Sequence, residues 1–567
     1  MVIRERRKRI YRKRIPYGMQ NFEDVIKEDC FYVDKTPFIE DIENSNMYFF
    51  YLRPRRFGKS LTLSMLENYY DINKKDDFEN IFGKLYIGEN PTPERNKYLV
   101  IHLNFAEVSA GLDDYKKGLD AHCNIAFGSF CSVYAHLLPP GIKEEMERQD
   151  GAVEQLAYLC KKVDEVGQKI YLFIDEYDNF TNMILASEEH LVRYRKQTHG
   201  EGYLRKFFNA IKGAAGSALA RIFVTGVSPV TMDDLTSGFN IGTNYSLSPC
   251  FNELTGFTEE EVRNALQLFG LQDQADNVKK WYDGFCFGNK SDIYNPWSIT
   301  KYLDTGKFDS YWVNTSSNSL IDKLIQGGTS DIKIAMEDLL EGKTIETAID
   351  EEIIFEQLEN NSAAVWSLLL ACGYLKVNKA SKDGAGGNYI LSLTNFEVQN
   401  MFRRMIQGWF GNVSARYNDF IKALLSDDLD YMNQYMNQVA MQTFSFFDTG
   451  KKTAEQEEPE RFYHGFVLGL MVDLADKYRI TSNRESGLGR YDIMLEPLEK
   501  NKRAYVIEFK VHKAKREKNL EETAQNALQQ IAERNYDAEL MARGIRKENI
   551  RHLGFAFCGK KVLIEQE

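Results

Sequence analysis

The sequence predicts a mixed α/β protein in three parts: a parallel sheet flanked by helices, a helical middle region, and a smaller C-terminal α/β unit. Three observations support this order. Apolar segments alternate with helical patterns up to about residue 250, helical patterns dominate to about residue 440, and strand patterns return after a charged stretch. At 567 residues, the chain is long enough for roughly two to four domains.

Four continuous apolar segments predict the buried strands of the N-terminal sheet. Strands of a parallel sheet are covered on both faces, so they are apolar throughout instead of alternating with polar residues. A helical pattern lies between them at 151–167. The four segments are 47–52, 98–105, 169–180 and 219–230.

Changes of pattern set the predicted domain boundaries. The mostly helical stretch begins with a helix at 258–270, which opens with a threonine cap and ends on glycine. The basic N-terminal tail is either an arm that binds nucleic acid or a solvated segment, and we favour the second. The predicted parts are a tail at 1–15, a first domain at 16–254, a helical lid or connector at 255–448, a linker at 449–460 and a last domain at 461–567.

Composition excludes several classes of protein. The net charge of −12 excludes a basic field over the whole chain, so contacts with nucleic acid must come from a local patch. The 8 cysteines include no C-x-x-C pair, which is typical of reduced thiols in a cytoplasmic protein. The sequence has no long apolar run and no secretory leader, so we expect no membrane partner.

The segment RPRRFGKS at 53–60 follows the first predicted strand. It matches the P-loop (Walker A) pattern G-x-x-x-x-G-K-[ST], except that Arg53 stands at the first glycine. In a P-loop, main-chain N–H groups face phosphates, the lysine reaches the β- and γ-phosphates, and the serine ligates Mg²⁺. The residues expected to bind ATP are Arg55, Arg56, Phe57, Gly58, Lys59, Ser60 and Leu61, with Ser60 also on the metal.

Two acids end the third apolar segment, as in a Walker B element. Asp175 would bind ATP-associated Mg²⁺, and Glu176 would orient or deprotonate the attacking water. The alternative is a strand that ends in solvated acids, which the upstream P-loop disfavours. Lys59 and Asp175 would converge if their strands are neighbours. Thr225, also assigned to the nucleotide site, either senses the γ-phosphate or caps a turn.

A second group of polar residues lies in the predicted hairpin at 485–514. Glu508 and Lys510 are two residues apart on an apolar strand and so share one face. Asp492 begins the partner strand. Two carboxylates on adjacent strands suit Mg²⁺ or Mn²⁺, and Lys510 would either position the metal-bound water or stabilise charge on the phosphate. The alternative is a Glu–Lys pair on a solvated face, which the apolar sequence around it disfavours.

Three further residues were weighed around this hairpin. Gln530, on a helix predicted at 527–536, either faces the lysine as a catalytic residue or lies on the surface. Glu485 could extend the acidic site. His464 is interpreted as a satisfied helix histidine. Arg205 and Arg221 lie in the first domain, but no sequence feature identifies either of them as an arginine finger.

These segments together resemble two known families. The first half is similar to the AAA-ATPase-like domain of bacteria, on IPYGMQNFEDVI, YVDKTPFIEDI, LRPRRFGKSLTLSML, FIDEYD, VTGVSP, LTGFTEEEV, WYDGFCFG, YNPWSI and YWVNTSS. The end resembles the PD-(D/E)XK nuclease domain, on FYHGFVLGL, NRESGLGRYDIML, VIEFKV and ALQQIAERNY. The resemblance implies a P-loop NTPase fold and a restriction-endonuclease-like fold. It also implies that RPRRFGKS is the ordinary P-loop of the family.

The nuclease pattern of the second family falls on Asp492, Glu508 and Lys510, with Gln530 and Tyr536 on the helix. The leading hypothesis is an ATPase and metal-dependent nuclease gated by ATP, acting on nucleic acid, with DNA favoured over RNA. Defence against foreign DNA fits such a gate. The alternative is a nucleotide-switched protein whose nuclease-like domain binds nucleic acid or a partner without cutting. Self-association as a homo-oligomer stays open.

Overall fold

The computed structural model divides into two compact units, Met1–Gly328 with Gly342–Asn400 and Thr329–Glu341 with Met401–Glu567. The predicted linker, His464 and most of the predicted helix around it lie outside the described residues, and the predicted domain boundaries stay predictions. The structure describes residues 13–108, 115–179, 202–228, 241–312, 319–326, 330–349, 361–380, 388–409, 414–443, 467, 471, 474, 477–486, 489–513, 516–558 and 561–567.

Helices account for much of the described chain. Helix α10 shows how sequence sets such boundaries: Thr258 and Glu261 form a reciprocal capping box at its start, and Gly270 ends it in the left-handed conformation. The α-helices are α1 Phe22–Lys27, α2 Phe38–Glu43, α3 Lys59–Tyr70, α4 Phe78–Phe82, α5 Tyr86–Glu89, α6 Tyr115–Val133, α7 Ile142–Glu147, α8 Ala152–Glu165, α9 Tyr203–Ala214, α10 Glu259–Phe269, α11 Ala275–Tyr282, α12 Pro296–Thr305, α13 Ser319–Gln326, α14 Ser330–Leu340, α15 Ser362–Ala371, α16 Phe396–Trp409, α17 Ser414–Ser426, α18 Leu429–Thr443, α19 Leu520–Arg534 and α20 Asp537–Ala542.

The main sheet of the first unit is parallel and has the order β2-β3-β4-β1-β5. Alternate residues enter two different cores, for example Phe50 on one face and Phe49 on the other. Burial on both faces explains why the predicted strand segments are apolar throughout. The strands are β1 Tyr48–Leu52, β2 Leu99–Asn104, β3 Ile170–Asp175, β4 Leu219–Gly226 and β5 Thr243–Asn244.

The middle region contains sheets that the sequence predicts only in part, as a helix leading into a strand at 363–377 and a hairpin turn at 383–387, the turn itself lying outside the described residues. It carries the helices expected there, but two small antiparallel sheets are added, with the orders β6-β8-β7 and β10-β11-β9. Several of these strands have only two to five residues, too short for a two-residue period to stand out. They are β6 Phe257–Thr258, β7 Phe285–Phe287, β8 Lys290–Tyr294, β9 Ile345–Ala348, β10 Leu375–Ala380 and β11 Asn388–Leu393.

The second unit is built on a mixed five-stranded sheet with the order β12-β13-β14-β15-β16. The predicted hairpin is confirmed, since β13 and β14 pair antiparallel, while β14 and β15 are parallel. The fold class is therefore the mixed α/β architecture that the sequence predicted. The strands are β12 Tyr478–Ser486, β13 Gly489–Pro497, β14 Ala504–Val511, β15 Ile550–Cys558 and β16 Lys561–Gln566.

Helix α18 covers the outer edge of this sheet through two asparagines. The amide of Asn433 donates to the carbonyl of Ile564 at 2.9 Å and accepts from its N–H at 2.7 Å. Asn437 makes the same two bonds with Val562, at 2.6 and 3.0 Å. The free main-chain groups of an edge strand attract further strands, so these amides satisfy groups that would otherwise pair elsewhere.

No helix in the described part of the chain has the length and apolar character needed to cross a membrane.

Gly226, the last residue of β4, allows the turn after β3 to pack closely. A Cβ at this position would lie 2.4 Å from the ring of Tyr177 and 2.7 Å from the carboxylate of Asp178. We therefore expect Gly226→Ala to lower the free energy of unfolding by about 1–3 kcal/mol, measured by urea denaturation.

The matched control is Gly213→Ala on α9, where an added Cβ meets nothing within 4 Å. The same substitution there should raise the free energy of unfolding by about 0.5–1 kcal/mol, because glycine is the weaker helix former. Equal effects at the two positions would contradict the close packing at Gly226.

Candidate functional site

The P-loop lies between β1 and α3, with Gly58 capping the helix. Gly58 has φ +94°, a conformation that glycine adopts without strain. Lys59 is 7% exposed, and its Nζ donates to the carbonyls of Arg53 at 2.9 Å and Pro54 at 3.0 Å. Burial lowers the pKa of Lys59. A buried cation at a helix N-terminus fits an anionic phosphate group.

Arg53, at the place of the first P-loop glycine, points away from the phosphate side into the core. Its side chain is 1% exposed and lies between the rings of Tyr51 and Phe287, with Cζ 4.3 and 3.9 Å from their centroids. The guanidinium donates to the carbonyls of Leu52, Ser246 and Phe251 at 2.9, 2.5 and 3.1 Å. The arginine therefore ties the end of β1 to two later segments.

Residues of the middle region also contact the P-loop at Arg55 and Phe57. The carbonyl of Arg55 accepts from the indole of Trp312 at 2.9 Å and from Asn295 at 3.4 Å. The fully buried ring of Phe57 packs against Phe285, with centroids 4.8 Å apart. The side chain of Phe57 is thus an anchor, and only its main chain is left to face a phosphate.

The remaining expected ATP-binding residues of the loop occupy different surroundings. The exposed guanidinium of Arg56 lies 4.5 Å from the ring of Trp297, and its backbone has φ +61°. Leu61 packs at the edge of a core cluster. Positive φ at a residue other than glycine is uncommon and concentrates at ligand sites, so Arg56 marks a constrained point of the loop.

Asp175 joins the P-loop helix to the strand ends. Its carboxylate accepts from the hydroxyl of Ser60 at 2.6 Å and also from the hydroxyl of Thr225. Strands β1 and β3 are not neighbours, because β4 lies between them. Ser60 and Asp175 are in contact nevertheless, because the carboxyl ends of all three parallel strands lie at one edge of the sheet.

Glu176 follows Asp175 in a strained conformation, with φ +49°. Burial, and then the charge of Asp175, raise the pKa of Glu176. A raised pKa makes this carboxylate a better proton acceptor near neutral pH. The sequence missed its neighbour Asp178, which is buried and accepts from the N–H groups of Val227 and Ser228 at 3.1 and 2.7 Å.

Arg221 does not belong to this site. It lies toward the start of β4, where its guanidinium donates to the carbonyls of Ile42 and Glu43 at 3.4 and 3.1 Å. The nucleotide-site edge is at the other end of the strand. Arg221 therefore has a structural role.

The second candidate site lies on β13 and β14 of the second unit. Asp492 accepts from the N–H of Phe509 at 2.8 Å, and Ile493 pairs with Ile507, so the antiparallel register continues to Asp492 opposite Glu508. Glu508 is 3% exposed, and the Nζ of Lys510 lies 3.9 Å from its carboxylate. The predicted sharing of one face by Glu508 and Lys510 agrees with these contacts.

Gln530 of α19 completes the cluster. Its amide oxygen accepts from Lys510 at 2.6 Å, and its amide nitrogen donates to Glu508 and, at 3.3 Å, to the hydroxyl of Tyr536. Burial raises the pKa of Tyr536. The amide thus orients both the lysine and the acid, which is incompatible with a simple surface position.

Gly554 allows α19 to lie this close to the sheet, and no sequence pattern indicates it. It is paired with Glu508 in the parallel register of β14 and β15. A Cβ here would lie 2.5 Å from the carbonyl of Ala524 on α19. A larger residue would push the helix, and with it Gln530, away from the acid.

The donor set at this cluster fits a hard divalent cation. Asp492 and Glu508 offer carboxylate oxygens, the ligands that Mg²⁺ and Mn²⁺ prefer. The protein would supply two ligands, and Mg²⁺ held by one or two carboxylates usually keeps several waters. Over the residues that the structure describes, no group of three or more His, Cys, Asp or Glu is placed to hold a metal ion.

Family models match both parts of the chain. Residues 16–236 match the model described as a predicted AAA-ATPase, and residues 458–567 match that of the PD-(D/E)XK nuclease superfamily. The chain joins an AAA-ATPase-like domain to a PD-(D/E)XK nuclease-superfamily domain. The resemblance drawn from the sequence motifs is confirmed. The P-loop and the Asp175 cluster lie in the AAA-ATPase-like domain, and the Glu508 cluster lies in the nuclease-superfamily domain.

Individual proteins are similar to this chain at low identity. An uncharacterised protein in the vnfD 5′ region of Azotobacter chroococcum mcd 1 is 24% identical over 573 residues, covering 96% of both chains. Among solved structures, Cdc6p of Pyrobaculum aerophilum has 13% identity and a TM-score of 0.25, over 68% of this chain and 98% of that one. ORC1 of Aeropyrum pernix, in complex with DNA, has 10% identity and a TM-score of 0.23, over 65% and 91%. These TM-scores support no argument about fold or function.

Restoring the general P-loop glycine at position 53 should damage the protein. Arg53→Gly leaves three buried carbonyls without their donor and empties the space between two rings. We expect the free energy of unfolding to fall by about 3 kcal/mol or more in urea denaturation, and the affinity for ATP to fall with it in calorimetry.

Arg56→Gly is the control for stability, since its side chain is exposed and its φ of +61° suits glycine. It should leave the free energy of unfolding within about 1 kcal/mol of the wild type. A stable Arg53→Gly protein with unchanged ATP affinity would contradict the role given to Arg53.

Proposed function

We propose that the chain is an ATP-binding, metal-dependent nuclease of the cytoplasm, in which ATP regulates hydrolysis of phosphodiester bonds, with DNA favoured over RNA. The observation that carries the proposal is the Glu508 cluster. A buried acid, a second carboxylate opposite it, a lysine and an orienting glutamine meet at one point on β13, β14 and α19. This donor set supports phosphodiester hydrolysis, because the reaction needs a hard cation and a fixed positive charge beside the phosphate.

The residues of the nuclease cluster have distinct roles in this proposal. Asp492 and Glu508 would hold a divalent cation, which would supply an activated water and offset charge on the phosphate. The N–H of Phe509 holds the Asp492 carboxylate in place. Lys510 donates to a non-bridging phosphate oxygen, and Gln530 fixes the direction of its ammonium group. Water adds to phosphorus, the bond to the leaving oxygen breaks, and that oxygen takes up a proton.

The nucleotide site acts through the P-loop and the strand ends. Lys59 exchanges its two carbonyl acceptors, on Arg53 and Pro54, for phosphate oxygens of ATP, while the N–H groups at the start of α3 face the same phosphates. Ser60 and Asp175 would hold Mg²⁺, and the hydroxyl of Thr225 donates to Asp175. Glu176 accepts a proton from the attacking water. In this proposal, binding of ATP to the first domain regulates the rate of phosphodiester hydrolysis by the nuclease-superfamily domain.

Cleavage should depend on the carboxylate of Glu508. Glu508→Gln keeps the size of the side chain but removes the charge that holds the cation, so we expect cleavage to fall at least about 100-fold. Plasmid DNA, linear DNA and RNA are tested with Mg²⁺ or Mn²⁺, with and without ATP. Gln530→Ala should lower kcat by about tenfold or more through loss of lysine orientation.

Gln529→Ala provides the matched control, since Gln529 is the exposed neighbour of Gln530 on the same helix. It should cleave like the wild type. If the wild type cuts no substrate while it still binds ATP, the nuclease proposal is wrong, and a nucleotide-switched interaction protein becomes the better explanation.

ATP binding and hydrolysis should separate in two variants. Lys59→Ala should lose nucleotide binding, because the cation that faces the phosphates is gone. Glu176→Gln should bind ATP and hydrolyse it at least about 100-fold more slowly. Since the pKa of Glu176 is raised, ATPase activity should fall on the acid side at a higher pH than an ordinary glutamate would give.

The control for Glu176→Gln is Glu165→Gln, on the exposed end of α8. It should leave binding and hydrolysis unchanged. Nuclease activity that is the same in the wild type and in Lys59→Ala, with and without ATP, would remove regulation by ATP from the proposal but leave the nuclease itself.

A further inference from the structure

His512 lies directly after β14, and its N–H still donates to the carbonyl of Phe557 on β15 at 2.8 Å, so the strand geometry of Glu508 and Lys510 extends to it. Side chains alternate along a strand, so these three residues share one face. Lys510 contacts Gln530 of α19, and the ring of His512 contacts Thr523 of the same helix, with Nδ1 2.9 Å from Oγ1. The polar contacts between strand and helix therefore extend beyond the Glu508 cluster.

The surroundings of Thr523 fix which nitrogen of His512 carries a proton. The hydroxyl of Thr523 is buried and has two acceptors within reach, Glu517 at 2.9 Å and the carbonyl of Asn519 at 3.2 Å. Neither of these oxygens can donate to the hydroxyl when Glu517 is ionised. The hydroxyl proton therefore points to one of them, and its oxygen accepts from Nδ1–H of His512.

Glu517 is held in its ionised form by several donors. The N–H of Lys513, the hydroxyl of Thr523 and the amide of Asn526 lower the pKa of Glu517, although burial opposes them. The carboxylate lies 3.5 Å from Nδ1 of His512. A carboxylate therefore lies on the Nδ1 side of His512 and would compensate a positive charge on the ring.

The other nitrogen of His512 is left for a ligand. Within the described residues, Nε2 of His512 makes no hydrogen bond, and the side chain is 12% exposed. With Nδ1 already protonated, Nε2 carries a hydrogen only in the imidazolium form, and it then donates to an acceptor. Such a group matches an anionic oxygen.

Basic residues follow His512 in the sequence of a chain whose net charge is −12. Lys513, Arg516 and Lys518 are exposed. Exposed cations near a nuclease-type cluster fit the phosphate backbone of a nucleic acid, which attracts cations whatever its sequence.

We propose that His512, as imidazolium, binds through Nε2–H a phosphate of the nucleic-acid strand next to the one held by Lys510. The proposal rests on the proposed nuclease function. His512 lies two residues from Lys510, about 6–7 Å along the strand, so it is placed for a neighbouring phosphate and not for the cleaved one. It is a positioning residue for the substrate, and its partner is a nucleic-acid backbone.

Two substitutions of His512 separate this role from a structural one. The amide of His512→Asn reaches the position of Nδ1 and keeps the bond to Thr523, whereas that of His512→Gln reaches the position of Nε2. A phosphate contact makes glutamine the better replacement, and a purely structural role makes asparagine the better one. His552→Asn is the control, because His552 bonds to Asp537 elsewhere in the same domain.

The experiment measures binding of the full chain to short DNA and RNA by fluorescence anisotropy in Ca²⁺, over a range of salt concentrations. We expect His512→Asn to bind about tenfold more weakly, with a salt slope smaller by about 0.7–0.9, and His512→Gln to recover part of the affinity. Oligonucleotides with one neutral methylphosphonate are then tested. Neutralising the contacted phosphate should lower the affinity of the wild type for the oligonucleotide but not that of His512→Asn, because the two changes remove the same interaction.

Three results would overturn the proposal: no binding by the wild type, equal binding by the wild type and His512→Asn, or weaker binding by His512→Gln than by His512→Asn. Thermal melts show whether each variant is folded, and comparison of the two His512 variants remains decisive if both are equally destabilised. If the wild type and His512→Asn cleave equally well, the phosphate contact of His512 is rejected, but the nuclease function is not. Binding that depends on His512, without any cleavage, rejects the nuclease function and keeps the contact.

Discussion

Charged side chains buried within or directly after strands are the constraint on which both units depend. A charge removed from water is costly unless hydrogen bonds or an opposite charge surround it. In the first unit, Arg53 meets this requirement with three carbonyls, and Asp178 meets it with the N–H groups of the turn after β4. In the second, Glu508 meets it with Gln530 and Lys510. The partners of these groups are loop main-chain groups in the first unit and side chains of β14 and α19 in the second.

Much of the fold was predictable because local patterns determine it. Apolar runs located β1 to β4, the threonine and glycine at its ends located α10, and the two-residue period placed Glu508 and Lys510 on one face. Gln530 was singled out as a candidate partner of the lysine before its contacts were seen. These predictions depend only on residues near each other in the chain, where propensity and periodicity act.

What could not be predicted depends on contacts between distant residues. Nothing in RPRRFGKS shows that Arg53 turns inward, since its partners Ser246, Phe251 and Phe287 lie about 190 to 230 positions later. The same holds for Gly554, whose neighbour is a helix about 30 positions earlier. The neighbour relation of β1 and β3 was left open for the same reason, and β4 lies between them. Strand order is a property of the folded chain, which one sequence does not record.

The two asparagines of α18 have a consequence for where an autonomous folding unit begins. Their amides imitate one more strand alongside β16, and neighbouring apolar residues of α17 and α18 share a core with β13, β14 and β15. The stretch that matches the nuclease superfamily starts only at residue 458. A fragment that begins at residue 458 would expose the unpaired edge of β16 and the apolar surface that α17 and α18 cover, and both features promote aggregation. The segment needed to complete this core therefore begins before the segment that matches the nuclease superfamily.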